Sequence, residues 1–114
     1  MASGDAGPRF LIAYRNEGAL GLIGGVYSNG EYELVSMWVN PVVRGLGVGL
    51  ELVKALQSHV LSESHLSVAL KVSTANKSAR NLYLKAGFVV IGEAGALNTD
   101  GRLQKMVWHH SAKP

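Results

Sequence analysis

Hydrophobic and polar residues alternate along the first third of the chain. The segments Phe10–Arg15, Ala19–Ser28 and Glu31–Val39 are rich in aliphatic and aromatic residues, and turn residues separate them at Asn16–Gly18 and Asn29–Gly30. An Asn-Gly pair is the strongest short signal for a hairpin, because both central residues of a type I′ turn need positive φ. The pattern therefore predicts three antiparallel strands joined by tight turns.

The rest of the chain alternates helices with strands. Apolar residues recur at helical spacing in Gly47–Leu61 and Asn76–Ala86, and at every second position in His65–Ser73 between them. A strand, a helix and a strand in succession form a crossover, so the third and fourth strands are expected to be parallel. Two short strands, Phe88–Ile91 and Leu103–Trp108, follow. The prediction is an α+β fold: a mixed, mostly antiparallel twisted sheet of about six strands with two helices.

Length and composition fit one packed domain. The 114 residues are 47% hydrophobic and 17% charged, and no linker or repeat divides them. We expect a single domain over residues 1–114, with residues 1–9 as a flexible lead and residues 109–114 as a tail. No apolar run approaches the ~20 residues that span a bilayer. The first residues also lack the pattern of a secretory signal, which predicts a soluble, cytoplasmic protein with no membrane partner.

The charge of the chain is mildly positive. Eleven Lys and Arg against eight Asp and Glu give a net charge of +3, without a block of consecutive basic residues. This pattern disfavours nucleic acid as a partner and favours small acidic ligands. The lack of cysteine excludes a thiol nucleophile and a Cys-based zinc site. No metal site is predicted, since His109 and His110 lie in the tail without a visible third ligand.

Arg44–Gly49 is the segment most suggestive of chemistry, because its glycines alternate between a strand and the start of a helix. A backbone without β-carbons can approach a ligand closely, and the N–H groups of the first helical turn suit a pyrophosphate. A purely steric turn is the alternative interpretation. A Walker loop is disfavoured because Leu50 and Glu51 stand where it requires Lys and Ser or Thr. A dinucleotide fold is disfavoured because the next strand ends without an acidic residue.

Two motifs resemble the GCN5-related N-acetyltransferase (GNAT) family. Arg44-Gly45-Leu46-Gly47-Val48-Gly49 matches the family's acyl-CoA signature, Gln/Arg-x-x-Gly-x-Gly/Ala, and Asn76–Phe88 matches its second signature, Asn-x-x-Ala-x-x-Leu-Tyr-x-x-x-Gly-Phe. The two motifs occur in the family's order, and the resemblance covers Phe10 to Trp108. The family's usual first strand and helices before Phe10 are not matched, so the chain resembles a short form of the family.

The resemblance implies transfer of an acetyl group from acetyl-CoA to a primary amine of a small molecule or peptide, by direct attack in a ternary complex. No metal takes part. Asn76 would approach the pantetheine arm, with a helix cap as the equally credible alternative. The other implied cofactor contacts are the strand residues along pantetheine, Met37, Trp38 and Val39, and the amides around the pyrophosphate, at Arg44, Gly45, Leu46, Gly47, Val48 and Gly49.

Tyr83 and Glu33 are the predicted catalytic residues. By resemblance, Tyr83 would lie near the thioester sulfur and protonate the leaving thiolate; the alternative is a buried aromatic on an amphipathic helix. An acceptor amine must lose a proton, and Glu33 resembles the position of a base in some family members. Strict alternation puts Glu33 on one strand face with Met37, although a bulge would break this parity. A solvated edge carboxylate is the alternative, and Glu31 has the same standing with less support.

Two functional hypotheses follow from the match and its gap. The first is an acyl-CoA-dependent N-acetyltransferase, and the second is a CoA-binding module without an acceptor pocket that works as a sensor or assembly partner. The unmatched helices also predict an uncovered apolar sheet face, which a homodimer would hide. The acceptor amine is not predicted.

Overall fold

A computed structural model describes residues 9–15, 18–28, 30–96 and 102–110. Three strands come first and pair in antiparallel fashion: β1 (Arg9–Arg15), β2 (Gly18–Ser28) and β3 (Glu31–Val39). A short 3-10 turn at Pro41–Val43 then leads to helix α1 (Val48–Ser62). Parts of the prediction lie outside the described residues: the flexible lead up to residue 8, the turn residues Asn16, Glu17 and Asn29, the loop at 97–101 and the tail from residue 111 onwards.

The second half of the chain contributes β4 (Ser67–Ser73), α2 (Lys77–Lys85), β5 (Val89–Ala96) and β6 (Arg102–His109). The six strands form one sheet in the order β1-β2-β3-β4-β6-β5, in which the β3–β4 pair is parallel and the other described pairs are antiparallel. The predicted α+β fold is confirmed. β4 begins later than predicted because the His65 N–H donates to the Val60 carbonyl at 2.9 Å and so closes the end of α1.

The core lies between one face of the sheet and the two helices. Both helices pack on this face, and they also contact each other. The largest fully buried side chains come from the sheet, from α1 and from the turn after α2: Ile23, Leu70, Met106, Val68, Val53, Leu56, Val60 and Phe88. No helix in the described part of the chain has the length and hydropathy needed to cross a membrane.

A bulge in β3 changes which side chains face the helices. The register of β3 against β2 shifts between Ser36 and Leu34, so that Val35 is an extra residue. Leu34 belongs to the core and Met37 packs against it, although the two are an odd number of residues apart. Glu33 therefore lies on the opposite face from Met37. The placement of these two residues on one face by strict alternation is wrong, and the bulge is the physical reason.

The parallel strands β3 and β4 are paired over a short length. Their ladder contains two pairs, Glu33 with Ala69 and Leu34 with Leu70. Beyond this ladder β3 continues against β2, and β4 continues against β6. The two strands thus separate towards their carboxyl ends, and in the described structure the edge of β3 that faces β4 has no neighbouring strand over residues 35–39. The result is a cleft that opens towards the loop before α1.

Candidate functional site

A cavity of about 790 Å³ lies where the cleft between β3 and β4 meets the first turn of α1. The end of β3, the loop before α1 and one side of α2 form its walls. This volume falls within the range of small-molecule and cofactor sites. The cavity brings together most of the residues predicted to contact a cofactor: Met37, Trp38, Val39, Arg44, Gly45, Gly47, Val48, Gly49, Asn76 and Tyr83.

The loop before α1 depends on glycine for its conformation. Gly45 and Gly47 have φ angles of +86° and +88°, in the left-handed region where a β-carbon would be strained. Gly47 is also the N-cap of α1, and among the residues that the structure describes no side chain caps this helix end. The first-turn residues Val48, Gly49 and Leu50 line the cavity. This end of α1 therefore offers backbone N–H donors and the positive end of the helix dipole to an anion.

Gly49 is required for a different reason, which is close packing. A β-carbon at this position would lie 3.1 Å from Leu82 Cδ2 and 3.1 Å from Met37 Cε. Because glycine has no side chain, α1 can approach both α2 and β3 at the inner end of the cavity. The alternating glycines of the motif thus shape the loop at two positions and permit helix contact at the third.

Two cationic residues border the cavity. Arg44 Nε donates a hydrogen bond to the Val39 carbonyl at 3.1 Å, which holds the guanidinium beside the end of β3. Lys85 lines the cavity from α2, and no acidic residue belongs to the lining that the structure describes. Lys85 was not predicted from the sequence, because it occupies an unspecified position of the second motif. Its spacing of three residues from Leu82, which puts both on one helix side, could have found it.

Asn76 stands at the start of α2 and lines the cavity. Its Oδ1 accepts a hydrogen bond from the Ala79 N–H at 3.1 Å, so the helix-cap interpretation is confirmed. The cap uses the side-chain oxygen, so a cofactor contact through the side-chain NH₂ is chemically compatible with it.

Tyr83 is buried at the inner end of the cavity, with 8% of its surface exposed. Its hydroxyl lies 4.0 Å from Met37 Sδ, and its ring packs against Phe88 with 5.8 Å between ring centroids. Burial raises the pKa of Tyr83 above the ordinary 10.0, because removal from water disfavours the phenolate. A phenol is protonated at neutral pH even at its ordinary pKa, so the hydroxyl can donate to a group that enters the inner end of the cavity.

Two predicted site residues lie outside the cavity lining. Leu46 is 73% exposed, and its N–H donates to the Val43 carbonyl at 3.3 Å. Glu33 is half-buried on the sheet face away from the helices, at the position where β3 and β4 join. Glu31, the weaker base candidate, forms an ion pair with Lys105 Nζ at 3.1 Å. Within the described ranges, no three His, Asp or Glu residues are grouped to hold a metal ion.

The sequence matches the family model described as Acetyltransferase (GNAT) family over residues 2–88, about three quarters of the chain. The mixed sheet of this chain also splits beside a glycine-rich helix start. This feature and the family match together define the class of protein. The chain belongs to the GNAT acetyltransferase family. This membership supports acyl-CoA-dependent acetyl transfer in general. A search of curated protein sequences finds no match.

Solved acetyltransferase structures share the fold. Nourseothricin acetyltransferase is similar at a TM-score of 0.83 and 24% identity, over 93% of this chain and 67% of that protein. Ard1 from Thermoplasma volcanium is similar at a TM-score of 0.80 and 28% identity, over 90% and 70%. An aminoglycoside 6′-N-acetyltransferase complexed with coenzyme A is similar at a TM-score of 0.81 and 20% identity, over 96% and 76%. The chain thus spans roughly two thirds to three quarters of the length of these proteins.

Proposed function

We propose that this chain is an N-acetyltransferase that moves an acetyl group from acetyl-CoA to a primary amine of a small molecule or peptide. One observation carries the proposal: a single cavity runs from the Arg44–Gly49 loop, past the edge of β3 that has no strand partner, to the buried residue Tyr83. A donor that carries a phosphate group at one end and a thioester at the other suits such a cavity.

CoA matches the chemistry of the cavity along its length. The uncapped first turn of α1 offers N–H donors to the pyrophosphate, and Arg44 and Lys85 add positive charge nearby. The edge of β3 that faces the cleft has no strand partner at Met37–Val39 and offers main-chain N–H and C=O groups, apart from the Val39 carbonyl, which accepts from Arg44 Nε. The amides of pantetheine can supply partners for these groups and extend the sheet as a short additional strand.

The reaction requires two proton movements. The amine nitrogen attacks the thioester carbon, the new C–N bond forms, and the C–S bond breaks with its electron pair on sulfur. Tyr83 donates its hydroxyl proton towards this thiolate, since a phenol carries its proton at neutral pH. The attacking amine gives up a proton in turn, since an acetylated nitrogen is neutral.

Glu33 is the proposed acceptor of the amine proton. It lies at the junction of β3 and β4, on the face away from the helices, whereas Tyr83 packs on the helix face. An amine that enters through the cleft from the open face would pass Glu33 before it reaches the thioester. The carboxylate and the phenol would then act from opposite sides of the sheet, either directly or through a water molecule.

Calorimetric titration with acetyl-CoA and CoA, with NAD and ATP as controls, tests the donor site. We expect binding of the CoA compounds alone. Arg44→Glu is expected to weaken this binding by about tenfold or more, because a charge-assisted hydrogen bond contributes ~1.5–3 kcal/mol. Lys54→Glu makes the same change of charge at an exposed position of α1 outside the cavity, and serves as the matched control. Equal losses in the two variants would show that the loop assignment is wrong.

Release of free thiol from acetyl-CoA, measured against a library of amines, tests the transfer itself. Tyr83→Phe is expected to lower the rate by about 10²–10⁴-fold if the phenol is the acid. An unchanged rate in this variant would remove Tyr83 from the mechanism. Binding of acetyl-CoA without transfer to any amine would favour the CoA-binding module instead. The single domain over residues 1–114, the cytoplasmic location and the homodimer stay predictions.

A further inference from the structure

We propose that Met37 sets the length of the acyl group, so that the chain selects acetyl-CoA over donors with longer acyl chains. The inference rests on the proposed function, because it concerns the thioester end of the same cavity. It concerns a different property, however: which acyl-CoA is accepted, rather than whether acyl-CoA is bound at all.

The side chain of Met37 extends across the inner end of the cavity. Its sulfur lies 4.0 Å from the Tyr83 hydroxyl, and its methyl carbon lies 3.1 Å from the position that a β-carbon on Gly49 would occupy. Because Tyr83 belongs to α2 and Gly49 to α1, this one side chain occupies the space between β3 and both helices.

The cleft closes beyond Met37. The bulge at Val35 is followed by the pair of Leu34 with Leu70, where β3 and β4 are joined by their short ladder. The side chains of this pair are 6% and 1% exposed, so they seal the end of the cleft from the helix side. An acyl chain directed along the strands therefore meets Met37 first and the buried Leu34–Leu70 pair behind it.

The position of the proposed acid indicates which end of the cavity the acyl group occupies. If the Tyr83 hydroxyl donates to the thioester sulfur, then the acyl group lies at the end of the cavity that this hydroxyl shares with the Met37 thioether, 4.0 Å away. A methyl group is the smallest extension of the thioester carbonyl, and a longer acyl chain that points towards β3 would have to displace the Met37 side chain. A hydrophobic pocket discriminates one methylene by roughly 10–200-fold. Methionine is flexible and can yield to a single methylene, so butyryl-CoA, which has two more, is the sharper probe.

Calorimetric titrations with CoA, acetyl-CoA and butyryl-CoA test the proposal without knowledge of the acceptor amine. We expect the unaltered chain to bind butyryl-CoA more weakly than acetyl-CoA. Met37→Ala is expected to raise the ratio of butyryl-CoA affinity to acetyl-CoA affinity by about tenfold or more. Val35→Ala is the matched control, because it removes methyl groups from an exposed residue of the same strand and should leave this ratio unchanged.

A second variant keeps the test decisive if Met37→Ala does not fold. Met37→Val retains a good strand former and part of the volume, and should shift the ratio in the same direction by a smaller factor. An unchanged ratio in the folded Met37 variants would overturn the role of Met37 but leave the proposed function standing, since acetyl-CoA is still bound. A failure of the unaltered chain to bind any CoA compound would overturn both.

Discussion

Gln57 connects the two helices through a hydrogen bond whose loss should be measurable. This buried α1 residue is 8% exposed, and its Nε2 donates to the Ala86 carbonyl at 2.9 Å. Ala86 is the C-cap of α2, where carbonyl groups lack donors from their own helix. The bond therefore satisfies an otherwise unpaired carbonyl three residues after Tyr83. We predict that Gln57→Met, which keeps the side-chain length but removes the donor, destabilises the fold.

The size of the effect follows from the environment of the carbonyl. An unsatisfied buried acceptor costs ~1–3 kcal/mol, and Ala86 is half-buried, so water can partly replace the lost donor. The expected loss is about 1–2 kcal/mol. For a domain near 100 residues, 1 kcal/mol corresponds to a fall in Tm of about 4–8 °C. Gln57→Ala should cost more, because it leaves a void between α1 and α2 in addition to the unpaired carbonyl.

Urea unfolding followed by circular dichroism measures this free energy for the unaltered chain and both variants. The slope of the transition should not change, since the surface exposed on unfolding is nearly the same. A free energy of unfolding for Gln57→Met within about 0.5 kcal/mol of that of the unaltered chain would contradict this prediction.

Two further predictions concern strand packing and pH. Gly21→Ala should destabilise the fold by about 1–3 kcal/mol, because its β-carbon would lie 2.6 Å from the Trp38 carbonyl oxygen; urea unfolding that matches the unaltered chain would contradict this contact. The raised pKa of Tyr83 means that the folded chain holds a proton more tightly than the unfolded chain, so this contribution to stability is complete below the ordinary value of 10.0 and is lost as the pH rises through the raised value. Between about pH 9 and about pH 11, the free energy of unfolding should therefore fall more for the unaltered chain than for Tyr83→Phe. Equal falls in the two proteins would show that the pKa of Tyr83 is not raised.

The fold could be predicted from the sequence because its signals are local. The helical spacing of apolar residues and the motif at Arg44–Gly49 each involve residues that are close in sequence. The spacing corresponds to one helix face, and the motif corresponds to one turn. A bulge in β3 could be named as a possibility, but its position at Val35 could not be predicted. The alternation of side chains along a strand holds no information about where its pairing with a neighbouring strand shifts register. Gln57 was missed for a related reason: its role depends on how α2 packs beside α1.

The short ladder between β3 and β4 has a consequence for how the chain opens. With two pairs in this ladder, the sheet consists of two blocks, β1-β2-β3 and β4-β6-β5, which α1 holds together from one side. Blocks of this kind often exchange their amide hydrogens as separate cooperative units. A ligand that pairs with the free edge of β3 inside the cleft would connect the blocks and slow hydrogen exchange in both. The cleft that admits a donor is thus also the place where binding of the donor would join the two blocks of the sheet into one unit.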